Sequence, residues 1–177
     1  MTSLPYQYKD HLQSDRLITR FLKDEDAVQW SSFFQDKEAT ELFPAFLLKP
    51  GDDPAVHWIS RQRDRYAGNR YGLQGLIEKT SGDLIGQCGL LLQEVDGIPE
   101  LEVGYHIIKR YWGNGYAPEA ARLFLDYALR VLQAPSVISI IDVRNVKSQR
   151  VAEKNGLKPE KQTQWNGLDV YIYRSTG

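Results

Sequence analysis

Between Arg110 and Ala117 the chain reads Arg-Tyr-Trp-Gly-Asn-Gly-Tyr-Ala. Two glycines two residues apart, Gly113 and Gly115, let backbone N–H groups turn inward and approach a ligand closely. A helix is expected to begin just beyond them. Pro118 suits a first helical turn, where its missing N–H would have no partner anyway. Glu119 puts a negative charge where the helix dipole is positive. Donors gathered at a helix N-terminus favour an anion, above all phosphate. The expected ligand is therefore a phosphate-bearing small molecule held at this strand–loop–helix junction. The same residues would also make a tight turn with a helix cap. Two familiar phosphate loops are excluded. A Rossmann fingerprint needs a small residue three places after the second glycine, where this chain has Pro118, and a Walker loop needs a Gly-Lys-Ser/Thr triplet that occurs nowhere.

This loop needs a strand to deliver it and a helix to receive it. Leu101 to Ile107 alternates like a strand, with Leu101, Val103, Tyr105 and Ile107 on one face and Glu102, Gly104 and His106 on the other. An apolar stripe of Ala120, Leu123, Phe124, Tyr127 and Leu132 predicts the helix over 117–132. Upstream, 16–22 reads as a first strand. Asp24-Glu25-Asp26 opens a helix carrying Ala27, Trp30, Phe33 and Phe34. Asp52-Asp53-Pro54 opens a second helix, with Val56, Ile59 and Tyr66 on its apolar face. Between them, 42–51 is too apolar for an ordinary polar loop, and reads as a loop packed on the core or as one wall of a substrate groove. Strands over 70–79, 84–95 and 101–108 form a meander, turning at Thr80–Asp83 and at Asp96-Gly97. A β-branched run predicts a central strand over 137–143. A short helix over 145–155 stops at Gly156, and a last hairpin spans 158–165 and 168–174 around Asn166-Gly167. Residues 1–13 are expected to be loosely held.

With 177 residues, a formal net charge of −1 and 42% hydrophobic residues, the composition is that of one globular domain spanning 1–177. No block of like charge supports binding to nucleic acid or a membrane surface. The single cysteine, Cys88, cannot form an internal disulfide or a cysteine-based zinc site, so no metal is expected. Met1 to Asp10 lacks the apolar core of a signal peptide, and no apolar run reaches the ~18 residues of a membrane helix. The expected setting is soluble and cytoplasmic, the expected state monomer or homodimer.

A second motif, Asn145-x-x-Ser148-x-x-x-x-Glu153-Lys154-x-Gly156-Leu157, falls at the other strand-to-helix junction. Read blandly, Asn145 caps the helix, Ser148 helps, and Gly156 ends it. Together with Glu102-Val-Gly-Tyr-His-Ile107 and the Arg110-x-x-Gly113-x-Gly115 loop, however, it resembles the GCN5-related N-acetyltransferases (GNAT). Within them it resembles the branch that acetylates ribosomal protein N-termini (RimJ/RimL-type). The resemblance extends over nearly the whole chain in element order. It implies an α/β (α+β) fold with a mixed, mostly antiparallel sheet of about seven strands, splayed between strands 4 and 5 and flanked by about four helices. It also implies that acetyl-CoA lies in the splay as cosubstrate.

Acetyl transfer from a thioester to an amine sets three chemical needs. The amine must be neutral, which calls for a base. The oxyanion of the tetrahedral intermediate needs donors. The departing thiolate gains least from a proton, because it is only modestly basic. By resemblance, Glu102 is the candidate base, acting directly or through water. His106 lies about 13 Å further along the same strand face, at ~3.3 Å per residue, and is the second candidate. The resemblance assigns the oxyanion to N–H groups near Ile107 and Ile108, the pyrophosphate to the N–H groups of Trp112, Gly113, Asn114, Gly115, Tyr116 and Ala117 with Arg110 adding charge, and the pantetheine arm to Asn145. Family members often carry a tyrosine just before the helix glutamate to protonate the thiolate. Here that position is Ala152, which leaves Ser148 or water. The acceptor would be a protein N-terminal α-amine or a small-molecule amine. Alternatives of other classes are a catalytically silent acyl-CoA-binding module on the same fold and an unrelated nucleotide-binding domain.

Overall fold

A computed structural model describes residues 6–177. One seven-stranded sheet runs through it, in the order β1-β2-β3-β4-β5-β7-β6. The strands are β1 (Leu17–Arg20), β2 (Leu73–Glu78), β3 (Leu84–Val95), β4 (Ile98–Ile107), β5 (Ser136–Asp142), β6 (Lys158–Trp165) and β7 (Leu168–Thr176). All neighbours pair antiparallel except β4 and β5, which are parallel and register at one residue pair, Glu102 with Ile138. β3 and β4 pair over ten residues each, from Gly86–Ile107 to Val95–Ile98. The sheet is therefore continuous on either side of β4–β5 and splayed between them.

Helices cover both faces. On one lie α1 (Ala27–Gln35), the short α2 (Lys37–Thr40) and α3 (Pro54–Ala67). Trp30, Phe33, Trp58 and Ile59 pack there against Leu73, Leu84 and Ile108. On the other lie α4 (Tyr116–Asp126) and α5 (Val146–Lys154), where Ala120, Phe124 and Ala152 close a core with Cys88, Leu90, Val103 and Ile141. Asp53 caps α3 by accepting the Val56 N–H at 3.0 Å, with Pro54 in the first turn. Both dipeptide turns read from sequence form, with positive φ at Asp96-Gly97 and Asn166-Gly167. No helix among the described residues is long and apolar enough to cross a membrane.

Several expectations need correction. Residues 6–13 are packed rather than loose. The Tyr8 hydroxyl donates to Gly72 O (2.6 Å) and accepts from Leu90 N–H (3.1 Å), and Gln13 bridges to Ile18. Residues 1–5 lie outside the described region. Val56 is 56% exposed, and α3 instead buries Ala55, Trp58, Ile59 and Gln62. The loop at 42–51 holds a 3₁₀ turn at Ala45–Leu47, preceded by the unanticipated α2. The long helix ends as α4 at Asp126 and continues as a π turn over Tyr127–Val131.

Candidate active site

The splay sets the site. Beyond Glu102 and Ile138 the two parallel strands pair no further, and Ser139 Oγ donates across to Val103 O at 3.2 Å. From there β4 and β5 diverge into a cleft of about 970 Å³. Alternation along β4 sends Glu102, Gly104 and His106 toward the α1–α3 face, and Val103, Tyr105 and Ile107 toward α4 and α5. The cleft thus opens to both faces.

Glu102 is buried at the narrow end. Gln93 Nε2 donates to its Oε2 at 2.9 Å. Burial pushes the carboxyl from its ordinary 4.5 up to about 7, against the hydrogen bonds from Gln93 and the Ile140 N–H and the charge of Arg65. A carboxyl at that value exchanges protons readily near neutrality. The next residue on its face, Gly104, lies between Leu73 and Leu91, and a Cβ there would touch both at 3.6 Å.

His106 lies on the same face but among aromatic rings. Phe33, Phe43 and Trp58 surround it at centroid distances of 5.5, 5.4 and 5.7 Å. Burial pushes its pKa from 6.5 down to about 4, which leaves a neutral and weakly basic ring. This desolvation makes the second candidate a poor base near neutrality. Phe43 and Leu47, from the apolar 42–51 segment, line the cleft here and also pack on the core of Trp30, Phe33 and Trp58, so the segment is a core-packed loop that walls the cleft.

On the opposite face Ser148 Oγ and Tyr105 OH are 2.7 Å apart, and Tyr105 OH also donates to Ser148 O (3.1 Å). Burial pushes the Tyr105 phenol well up. Ser148 does not cap α5. Asn145 does, its Oδ1 accepting the Ser148 N–H at 3.0 Å. Tyr105 is the polar residue that strand alternation alone conceals, since its spacing matches that of core residues. The phenol oxygen at its tip, which seeks a partner when buried, was the available signal.

The glycine loop lies where β4 hands over to α4. Gly113 and Gly115 both have φ +78°, and a Cβ on Gly113 would point into open space. The N–H groups of Gly113, Asn114, Gly115, Tyr116 and Ala117 meet no acceptor among the described residues, whereas Trp112 N–H is bonded to Lys109 O (2.9 Å). Ile108 N–H is likewise spent, on Ile85 O (2.9 Å). Strand alternation then directs Ile107 N–H into the gap toward β5. Trp112 and Ile108 are thus corrected as expected donors. Arg110 turns away from the loop, stacking on Tyr111 at 4.7 Å and lying 3.7 Å from Asp83. Arg16 holds the loop from outside, donating to Asn114 O (2.8 Å) and pairing with Glu119 (2.6 Å), so Glu119 is a clamp as well as a dipole partner. Across the wide end, Glu38 on α2 bonds Lys109 (2.7 Å) and Lys147 (3.1 Å).

The chain and its fold have known relatives. Residues 16–158 match the family profile of the acetyltransferase (GNAT) domain. The uncharacterized protein YkkB of Bacillus subtilis (strain 168) is 33% identical over 170 residues, spanning 94% of this chain and 97% of that protein. An acetyltransferase from Agrobacterium tumefaciens str. C58 superposes with a TM-score of 0.76 at 25% identity, over 100% of this chain and 99% of that one. Mycobacterium smegmatis RimJ, solved in complex with CoA-disulfide, superposes with a TM-score of 0.72 at 19% identity, over 90% and 81% of the two chains. The chain belongs to the GNAT family, whose members use acetyl-CoA, and it is an N-acetyltransferase.

Proposed function

We propose that the protein forms one functional domain that transfers an acetyl group from acetyl-CoA directly to the primary amine of a second bound substrate, with Glu102 as base. The observation that carries this reading is the buried Glu102 carboxyl, held near a pKa of about 7 where β4 and β5 part. The amine approaches from the α1–α3 face, over Gly104, and loses a proton to Glu102. Its nitrogen attacks the thioester carbonyl carbon within the gap. The C–N bond forms and Ile107 N–H faces the developing oxyanion. As the oxyanion collapses the C–S bond breaks, and the nitrogen sheds its remaining extra proton to water, as Glu102 in turn does. A proton passes from the Ser148–Tyr105 hydroxyl pair to the thiolate and is restored from solvent. Base and acid thus act from opposite faces of one strand.

The N–H groups from Gly113 to Ala117 fit a diphosphate, because five donors without an acceptor among the described residues lie at a helix N-terminus, with open space at Gly113. Asn145, with its Oδ1 engaged in the cap, keeps only its amide N–H groups for the pantetheine arm. Structural neighbours described as ribosomal-protein acetyltransferases support a protein α-amine as acceptor, with a small-molecule amine the other class. The test combines binding and turnover. At 100 times its dissociation constant, acetyl-CoA should stabilise the fold by about 2.7 kcal/mol. For a chain of this size that corresponds to roughly 5–10 °C in Tm. Thiol release should require an added amine. Stabilisation without release toward any amine would mark a silent acyl-CoA-binding module, and no stabilisation at millimolar acetyl-CoA would refute the reading.

A further inference from the structure

Arg65 sits in the last turn of α3, half-buried, on the wall of the cleft that also holds Glu102. Its Nη1 donates to Gln62 Oε1 at 2.9 Å. That oxygen also accepts the Leu73 N–H at 2.9 Å, and Gln62 is fully buried, so the anchor is rigid. No carboxylate among the described residues pairs with Arg65, and residues 1–5, Met-Thr-Ser-Leu-Pro, contain none. Burial and the nearby Arg61 and Arg70 disfavour its charge, while Glu102 favours it. Glu102 is nonetheless engaged with Gln93 and makes no ion pair with Arg65.

A guanidinium has five N–H donors in a planar fork that matches a carboxylate. Here one donor is used inside the protein, and a half-buried cation without a counter-charge faces the space that the amine must occupy. A half-buried cation of this kind is costly unless something pairs with it. Leu73, Leu91 and Phe43 make the rest of this wall apolar. Resting on the reading of Glu102 as base, we propose that the acceptor is a small amino-carboxylate: its amine faces Glu102, its carboxylate pairs with Arg65, and an apolar side chain lies against Phe43 and Leu91. The arginine charge also disfavours the protonated amine, which helps deprotonation, and it repels polyamines.

The experiment compares wild type with Arg65→Gln and Arg65→Lys, each verified as folded by circular dichroism. Thiol release from acetyl-CoA is followed with leucine and phenylalanine, with their amides, with isopentylamine and phenethylamine, with spermidine, and with a short peptide amide. Rates are compared per neutral amine. A bidentate charge-assisted pair corresponds to roughly 10–100-fold in kcat/KM, so wild type should prefer the free amino acids by that factor. Arg65→Gln should abolish the preference, chiefly through KM, and Arg65→Lys should restore part of it. A parallel arm measures Tm with CoA plus each acceptor, which does not depend on turnover. If the amines, amides or peptide react as well as the amino acids and Arg65→Gln alters nothing, this inference falls while the acetyltransferase reading stands. If no acceptor reacts but amino acids stabilise the CoA complex only when Arg65 is present, the subsite holds and the catalytic reading falls. If no acceptor reacts or stabilises, both fall.

Discussion

Replacing Glu102 with Gln should make the protein more stable at high pH and less active. The carboxyl is displaced from 4.5 to about 7, with burial as the largest cause. The difference, 7 minus 4.5, is about 2.5 units, and at 1.36 kcal/mol per unit it corresponds to about 3 kcal/mol. Because the folded value lies above the unfolded one, the native state binds the proton more tightly. Its contribution is fully present below pH 4.5, declines as pH rises, and is lost above about 7. A glutamine at this position never ionises. Wild type and Glu102→Gln should therefore melt alike near pH 4.5 and diverge up to pH 9, where the variant gains about 3 kcal/mol. At 2–4 °C per kcal/mol for a domain of this size, the gap is roughly 6–12 °C. Circular dichroism melts of both proteins across that range measure it directly. The same variant should lose ~10²–10⁴-fold in kcat, the usual scale for a general base. Wild-type kcat/KM should rise through pH ~7 with acceptors of widely different basicity, and that inflection should vanish in the variant. Melting curves that stay parallel from pH 4.5 to 9 would refute the claim that Glu102 is held against its desolvation cost.

Gly113→Val forces a branched side chain into φ +78° and into the space open for a diphosphate, so CoA affinity should fall at least tenfold in a folded protein, as read by calorimetry. Ser148→Ala and Tyr105→Phe should each lower kcat by ~10–100-fold, and because the two hydroxyls form one hydrogen-bonded unit, the double variant should lose little more than the worse single one. His106→Phe should keep kcat within about threefold and alter stability by less than ~1.5 kcal/mol, since the ring already sits among Phe33, Phe43 and Trp58; a loss of ~10²-fold would return it to candidacy as the base.

What could be read from sequence had a local cause. The turns at Asp96-Gly97 and Asn166-Gly167, the Asp53 cap and the glycine loop depend on backbone preferences of neighbouring residues, and they form where expected. The alternation that separates Glu102 from Tyr105 is equally local. What stayed hidden depends on distant partners. Nothing near Tyr8 in sequence announces Gly72 and Leu90, and nothing near Tyr105 announces Ser148. In α3, Val56 and Trp58 compete for the inward face, and the choice falls to Trp58 through Gln87, 29 residues away. Arg110 and Arg65 exchange importance for the same reason. The first has Asp83 within reach, and the second has no carboxylate partner.

The single residue pair joining β4 to β5 makes the sheet two plates sharing one short weld. One plate, β1–β4, carries Glu102, the proposed base, and the wall proposed for the amine. The other, β5–β7–β6, carries α5 and the hydroxyl of Ser148. Neither plate alone holds both Glu102 and Ser148, so any tilt between them changes the distance from the proposed proton acceptor to the proposed donor. An extended molecule laid along the gap, bonding to both edges, would act as the missing rung of the ladder. On this view substrate occupancy is itself a structural joint, and the enzyme is assembled to working tolerance only while the molecule it consumes is in place.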